Sequence, residues 1–299
     1  MAMTMNEFRR LADPDLDKIW FEEDEMYEEQ YSRILNVKSL DKLYTIEAEM
    51  AGFGAPIEIS EGASVTYDEA ISPRERRYDI AKFGLGYKIT DKLWKNDEYG
   101  KTMEFERALR IADLDHTETY FMALLANATN TTVSAGFDGL ALASTAHTRM
   151  DGGATQANRP TTLTALSLTS LEDAAIAFTK FKDERGRPFR SQPRTLVTGL
   201  DLVLVANEIL GSSMNPTTAN NATNALKNVF SISPLATPYI TSTTFAALVG
   251  DRHDINAGWR ERPAQDSEVD FDTDTIKRKT TKWMFRGHGR WNGFYLINS

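Results

Sequence analysis

The chain has 299 residues, with 34 Lys plus Arg against 43 Asp plus Glu for a net charge of −9, and no cysteine. The acidic balance weighs against a general nucleic-acid binder, whose phosphate contacts need a basic surface, and the missing cysteine excludes disulfides, thiol catalysis and thiolate metal sites together. No run of about 18 apolar residues is present to span a membrane, and the opening MAMTMNEFRRLADPDL lacks the apolar core of a secretory signal. The length fits one large domain or two smaller ones in a soluble chain that folds in a cytoplasm.

Residues 1–45 read as an arm. Asp13-Pro14 is a helix start, and Leu16, Ile19, Trp20, Tyr27, Tyr31, Ile34 and Leu35 give a broken apolar stripe, too sparse for an independent core. Between them Glu22, Glu23, Asp24, Glu25, Glu28 and Glu29 place six acids in eight positions. Two readings fit: a solvated helix face, or an acidic patch that meets a basic patch on another subunit.

From Thr45 to about Ile89 the pattern turns to strands and glycine. Ile57, Ile59, Val65 and Tyr67 alternate with polar residues. Ser72–Asp79 holds Arg74, Arg76 and Arg77, and Ala81, Phe83, Leu85, Tyr87 and Ile89 alternate strictly, as in a half-buried strand. The spacing predicts a long hairpin with its charged tip at Ser72–Arg77. Such a hairpin cannot bury its own faces and needs a neighbour.

Thr102–Asn127 contains neither proline nor glycine and is rich in helix formers. Phe105, Ala108, Leu109, Ala112, Tyr120, Phe121, Leu124 and Leu125 follow helical spacing, which assigns Thr102, Glu106, Asp113, Asp115 and Glu118 to a polar opposite face. At ~1.5 Å per residue this is a rod of roughly 37 Å, and the rest of the chain is organised around it. His116 interrupts the stripe and reads as packed or solvated rather than as an acid–base group.

Beyond the helix, Leu140 and Leu142 alternate into Ser144-Thr145-Ala146-His147, and Gly152-Gly153 opens a loop that closes at Asn158-Arg159-Pro160. A serine near a histidine invites a catalytic reading. No Gly-x-Ser-x-Gly elbow surrounds it and no motif marks a third acid, so the stretch reads as a turn fixed by side-chain hydrogen bonds. Residues 163–250 read as a compact α/β domain with helices over Ser170–Lys182 and Gly199–Leu210. Its strands are expected at Arg194–Thr198, Val229–Ile232 and Thr244–Val249, and Pro234 and Pro238 confine the piece between to an edge or turn. In the last part Lys277, Arg278, Lys279, Lys282, Arg286 and Arg290 interleave with Trp283, Phe285 and Trp291. That mixture suits nucleic acid or a strand with a charged face that pairs with the acidic arm, and the net charge favours the strand. His253 and His288 have no metal-ligand partner at recognised spacing. No catalytic residue, cofactor or metal is expected.

The order of these pieces resembles the major capsid protein of tailed bacteriophages. The stretch from Asp138-Gly139-Leu140 to Ser144-Thr145-Ala146-His147, with its glycine-rich loop and Asn158, is similar to the head subunit of Mu-like phages. The resemblance implies an α+β chain of the Hong Kong 97 capsid type. It would have an N-terminal arm at 1–45, an extended loop at 46–82, a peripheral domain at 83–162 and 252–299 holding the long spine helix, and an axial domain at 163–251. Such a subunit does no chemistry. It would assemble with itself, in the host cytoplasm, into the hexamers and pentamers of an icosahedral virion head around double-stranded DNA. Scaffold, portal and cement proteins would be its further partners, with only non-specific proximity to the DNA and no membrane contact.

On this reading the subunit contacts are Glu22, Glu23, Asp24, Glu25, Glu28 and Glu29 on the arm, and Glu61, Tyr67, Glu69, Arg74, Arg76 and Arg77 on the extended loop. Lys277, Arg278, Lys279, Lys282, Arg286 and Arg290 complete the set on the C-terminal strand. Some relatives cross-link a loop lysine; here the expected tip has arginines and Lys82 is the nearest lysine, which implies a non-covalent shell. The N-terminal scaffolding region of part of that family is also missing, which implies a separate scaffold. An encapsulin-like compartment shares the fold and is the alternative, and an enzyme built on Ser144 and His147 is the third class.

Overall fold

A computed structural model describes residues 20, 27–69, 71–90, 92–93, 96, 101–214, 223–270, 272–273 and 275–299. In chain order the strands are β1 (Asn36–Ser39), β2 (Tyr44–Glu49), β3 (Arg74–Asp79), β4 (Ala81–Thr90), β5 (Pro193–Thr198), β6 (Ser233–Ala236), β7 (Ala246–Gly250), β8 (Ile255–Asp270), β9 (Thr275–His288) and β10 (Phe294–Asn298). The helices are α1 (Lys101–Ala126), α2 (Leu168–Thr179), α3 (Val203–Gly211) and α4 (Ala225–Val229). One sheet runs β1-β8-β9-β4, a second runs β10-β7-β5-β6, and β2 pairs with β3 alone.

The second sheet divides the interior. Successive side chains on a strand point to opposite faces, and here both faces are covered, so β7 is buried at every position. Val197, Ala247, Val249 and Leu296 enter one core with Phe121, Leu124 and Leu125 of α1, Trp259 and Met284 of the first sheet, and Tyr31, Ile34 and Leu35 of the arm. Their neighbours Leu196, Ala246, Leu248 and Ile297 enter the other, against Leu171, Ala175 and Phe178 of α2 and Trp291. The N-terminus of α2 is set by a capping box in which Ser167 and Ser170 satisfy each other's backbone N–H.

Helix α1 differs from the expected amphipathic rod over Met103–Glu118. Glu106, Asp113 and Glu118 are buried, whereas Met103, Phe105 and Ile111 are exposed. The sheet beneath supplies the reason. Arg278 Nε lies 3.1 Å from Glu106 Oε2, to which Tyr87 also donates at 2.6 Å. Lys282 Nζ lies 2.9 Å from Asp113 Oδ1 and donates to Asp113 O at 2.6 Å and Thr117 Oγ1 at 2.7 Å. Arg286 donates to Tyr120 O and covers the Tyr120 ring. Every fourth residue of β9 therefore meets every seventh residue of α1, and the buried carboxylates Glu106 and Asp113 are matched by opposite charges. Glu118 faces the arm instead and accepts from the N–H of Gln30 at 2.7 Å and Tyr31 at 3.1 Å.

Three further elements differ from expectation. The strand placed at Val229–Ile232 is preceded by α4, capped by Asn224, and the strand itself starts later, at Ser233, on the sheet edge that tolerates Pro234. The helix placed at Gly199 begins as a 3-10 turn over Leu200–Leu202 before α3. The predicted hairpin is built differently: β3 pairs antiparallel with β2, Tyr44 opposite Asp79 through Glu49 opposite Arg74. Arg74, Arg76 and Arg77 thus sit on a base strand and not at a tip, while residues 50–69 are the loop, which turns at Ser60–Ala63 through Gly62 at φ +83°.

Candidate contact surfaces

Of the arm candidates, Glu22, Glu23, Asp24 and Glu25 lie outside the described residues. Glu28 is exposed and pairs with Arg33, and Glu29 is exposed. Trp20 is buried, with the Arg110 guanidinium 4.2 Å from its ring centroid, so one arm residue is anchored on α1.

The loop candidates divide. Glu61, Tyr67 and Glu69 are exposed, Tyr67 to 90%. Arg74 donates to Thr148 O at 2.9 Å and lies 3.9 Å from Glu184. Arg76 donates to Ser134 Oγ at 3.2 Å. Arg77 is exposed, pairs with Asp79 at 2.7 Å and covers the Tyr44 ring. The C-terminal candidates divide in the same way. Arg278, Lys282 and Arg286 face α1 inside the chain, Arg290 Nε pairs with Glu49 Oε1 at 2.5 Å, and Lys277 and Lys279 stay exposed in pairs with Asp270 and Asp266.

The base of the loop is the most structured part of this surface; sequence reasoning named its Arg74 and Arg290 but missed their partners Glu184 and Glu49, and Arg185. Glu49 and Arg74 form the last rung of the β2–β3 ladder, and each crosses to an opposite charge on the body, Arg290 and Glu184. Burial pushes the Glu49 carboxyl up to about 7, Glu184 raises it further, and Arg290 opposes the shift. Burial likewise raises Glu184, against the Met150 N–H and Arg74. Arg185 then grips both limbs of the loop, donating to Gly52 O and to Glu69 O, each at 2.8 Å. No periodicity marks Arg185, which also lies 3.5 Å from Asp68 Oδ2 on the same loop.

Ser144 and His147 form no nucleophilic pair. His147 is fully buried and lies flat on Trp291, with ring centroids 4.5 Å apart. Its Nδ1 meets Asp138 Oδ2 at 2.6 Å and its Nε2 meets Asn158 Oδ1 at 3.1 Å. Asn158 also accepts from Ser144 N–H and donates to Leu142 O. Ser144 Oγ accepts from Ala146 N–H in a local turn. Burial would raise Asp138, but the His147 hydrogen bond and charge outweigh it and hold its carboxyl below the ordinary range. Both ring nitrogens are thus occupied by structural partners, and the cluster ties the loop to Trp291. His288 is also buried, bonds Ser134 Oγ at 2.7 Å and is pushed down to about 3 by burial. The described residues hold no cluster of three metal-ligating side chains, and no described helix is long and apolar enough to cross a membrane.

Residues 74–296 match the family described as phage capsid protein. No curated protein matches the chain. Among solved structures, a chain from Microbacterium phage Oxtober96 is 11% identical with a TM-score of 0.56, covering 91% of each chain. The capsid structure of the Cyanophage P-SCSP1u gives 13% identity and a TM-score of 0.58, over 89% of this chain and 87% of that one. The capsid of bacteriophage JBD30, decorated with minor capsid protein trimers, gives 15% and 0.57 over 72% and 92%. At these identities the likeness is one of fold.

Proposed function

The chain belongs to the phage capsid protein family, and we propose that it builds the shell by repeating its own contacts around hexamers and pentamers of an icosahedral head enclosing double-stranded DNA. It is a structural, non-catalytic major capsid protein with the Hong Kong 97-type fold. The observation that carries the assembly reading is the loop at 50–69. Ile57, Ile59, Val65 and Tyr67 are all exposed there and carry no secondary structure, which makes sense where a neighbour covers them. Heterologous contacts of this kind close into rings when the rotation allows.

The arm is 1–45, the extended loop 46–82, the axial domain 163–251 and the peripheral domain 83–162 with 252–299; the last strand, Phe294–Asn298, pairs with β7 of the axial part. Glu28, Glu29, Glu61, Tyr67, Glu69, Arg77, Lys277 and Lys279 are the candidates for contact between copies, being exposed, with Glu22, Glu23, Asp24 and Glu25 kept from the sequence. Arg74, Arg76, Arg278, Lys282 and Arg286 bond within the chain, and Arg290, exposed while paired with Glu49, stays a further candidate. Membership of the Mu-like branch is supported by the motif from Asp138 to Asn158, whose polar residues form one hydrogen-bonded unit. A separate scaffold and a portal assist assembly in the host cytoplasm, and a decoration protein, as on the JBD30 capsid, binds the finished shell.

Negative-stain electron microscopy of the purified protein, alone and co-expressed with its neighbouring genes, tests this. Closed shells or hexameric capsomers are expected, and DNA inside rather than an enzyme separates a phage head from a bacterial compartment. Small discrete particles under every condition would overturn the reading.

A further inference from the structure

Strand β4 is an edge. All ten of its residues pair with β9 on one side, and among the described residues no strand pairs with the other. An open edge with unpaired N–H and C=O groups is a template for another strand. Its two faces differ. Phe83 and Tyr87 point to α1, where Phe83 lies 4.8 Å from the His116 ring and Tyr87 lies 6.1 Å from the Phe105 ring. From Phe83 to Tyr87 the strand rises about 13 Å, while α1 runs back from His116 to Phe105 over about 16 Å. Leu85, midway, is thereby brought alongside the Ala108–Ala112 stretch. All three are exposed, Leu85 to 51%. The α1 side of the edge is a shallow trough with small residues on its floor.

The opposite face is basic along the edge strand, while behind it Lys277 and Lys279 are paired with Asp270 and Asp266. Lys82 and Lys88 project from β4 there, and in the adjoining register Lys279 stands opposite Gly86 and Lys277 opposite Lys88. The extended loop carries the complement to both faces. Ile57 and Ile59 are exposed to 69% and 47% and alternate with Glu58. Residues 50–72 contain Glu58, Glu61, Asp68 and Glu69 and no basic residue.

We propose that the Ile57–Ile59 segment of one copy adds as a strand to the β4 edge of a neighbouring copy. Ile57 and Ile59 then fall over Ala108 and Ala112, and Glu58 falls among Lys82, Lys88 and Lys279. A slip of one residue would set Glu58 on the alanines and both isoleucines among the lysines, so the two faces together fix the register to even steps. The inference rests on the shell reading, because it needs a second copy held at the loop.

The chain has no cysteine, which makes the test clean. One chain carries Ile57→Cys or Ile59→Cys, a second carries Leu85→Cys, and the two are co-assembled and treated with a short bis-maleimide that spans direct and diagonal cross-strand neighbours. Covalent dimers in shells, and none in unassembled subunits, are expected. In parallel Glu58→Lys should lower shell yield, and Lys82→Glu with Lys88→Glu in the same chain should restore it, with circular dichroism confirming that each variant folds. Shells of normal size without a dimer from either pairing would overturn the strand addition while leaving the shell reading intact. Failure of the unsubstituted chain to form shells under any condition would overturn both.

Discussion

Replacing Lys282 with methionine removes an ammonium while keeping nearly the same side-chain length. In the native chain its three donors are satisfied by Asp113 Oδ1, Asp113 O and Thr117 Oγ1, and the side chain is 2% exposed. Burial lowers the Lys282 pKa, and the Asp113 carboxylate opposes that shift. Breaking a buried pair by removing one member costs about 3–5 kcal/mol. Arg110 still reaches Asp113 at 3.1 Å, which places the loss near the lower end, about 3 kcal/mol. With an unfolding entropy of about 2.1 cal/mol/K per residue, a chain of this length loses roughly 5 °C in melting temperature. Scanning calorimetry of unassembled subunits measures it, with Lys279→Met as the control. Lys279 and Asp266 are 60% and 66% exposed, and removing such a pair should shift the melt by less than about 2 °C. Equal shifts for the two variants would refute the claim that the ion pairs beneath α1 hold the sheet.

Glu49→Gln should weaken the pH dependence of stability. The folded-state pKa of about 7 lies above the ordinary carboxylate value, so the associated stability is complete below about 4.5 and is lost as pH rises through about 7. Melting temperatures at acid and alkaline pH that keep the same difference in the variant would count against it. Glu118→Ala leaves the N–H groups of Gln30 and Tyr31 without their acceptor, a loss of about 1–3 kcal/mol; hydrogen exchange should quicken at those two amides. Arg77→Ala should leave the subunit folded, because Arg77 is exposed and bonded only locally, yet reduce assembly, which normal shell yield would contradict. Shell assembly should also weaken as salt screens exposed charges, and light scattering indifferent to salt would argue against pairing of the acidic arm.

Local rules carried well where structure is local. The bounds of α1 and β4 fall within a residue of the helical and alternating patterns, because no proline or glycine interrupts the first and the second pairs along its whole length. The burial of Glu106 and Asp113 was not legible, since helical spacing sorts residues by polarity and Asp113 meets a partner 169 residues away. Strand β8 was hidden for a different reason: Pro263 and two register shifts break its alternation. The loop arginines were misplaced because a charged run between two apolar runs looks like a turn, and only the pairing of Glu49 with Arg74 shows it to be a strand. Of the candidate contacts, the sequence could name charged residues but not say which of them find partners within their own chain.

The contacts between α1 and β9 have a mechanical meaning. Glu106, Asp113 and Tyr120 mark the helix every seven residues, about 10.5 Å apart, while Arg278, Lys282 and Arg286 mark the strand every four, about 13 Å apart. Two rulers with different gradations coincide in one setting, as in a vernier. Sliding the helix by one turn would strand each buried charge away from its mate, at several kcal/mol apiece. Helix and sheet therefore resist sliding past one another and behave as one stiff beam.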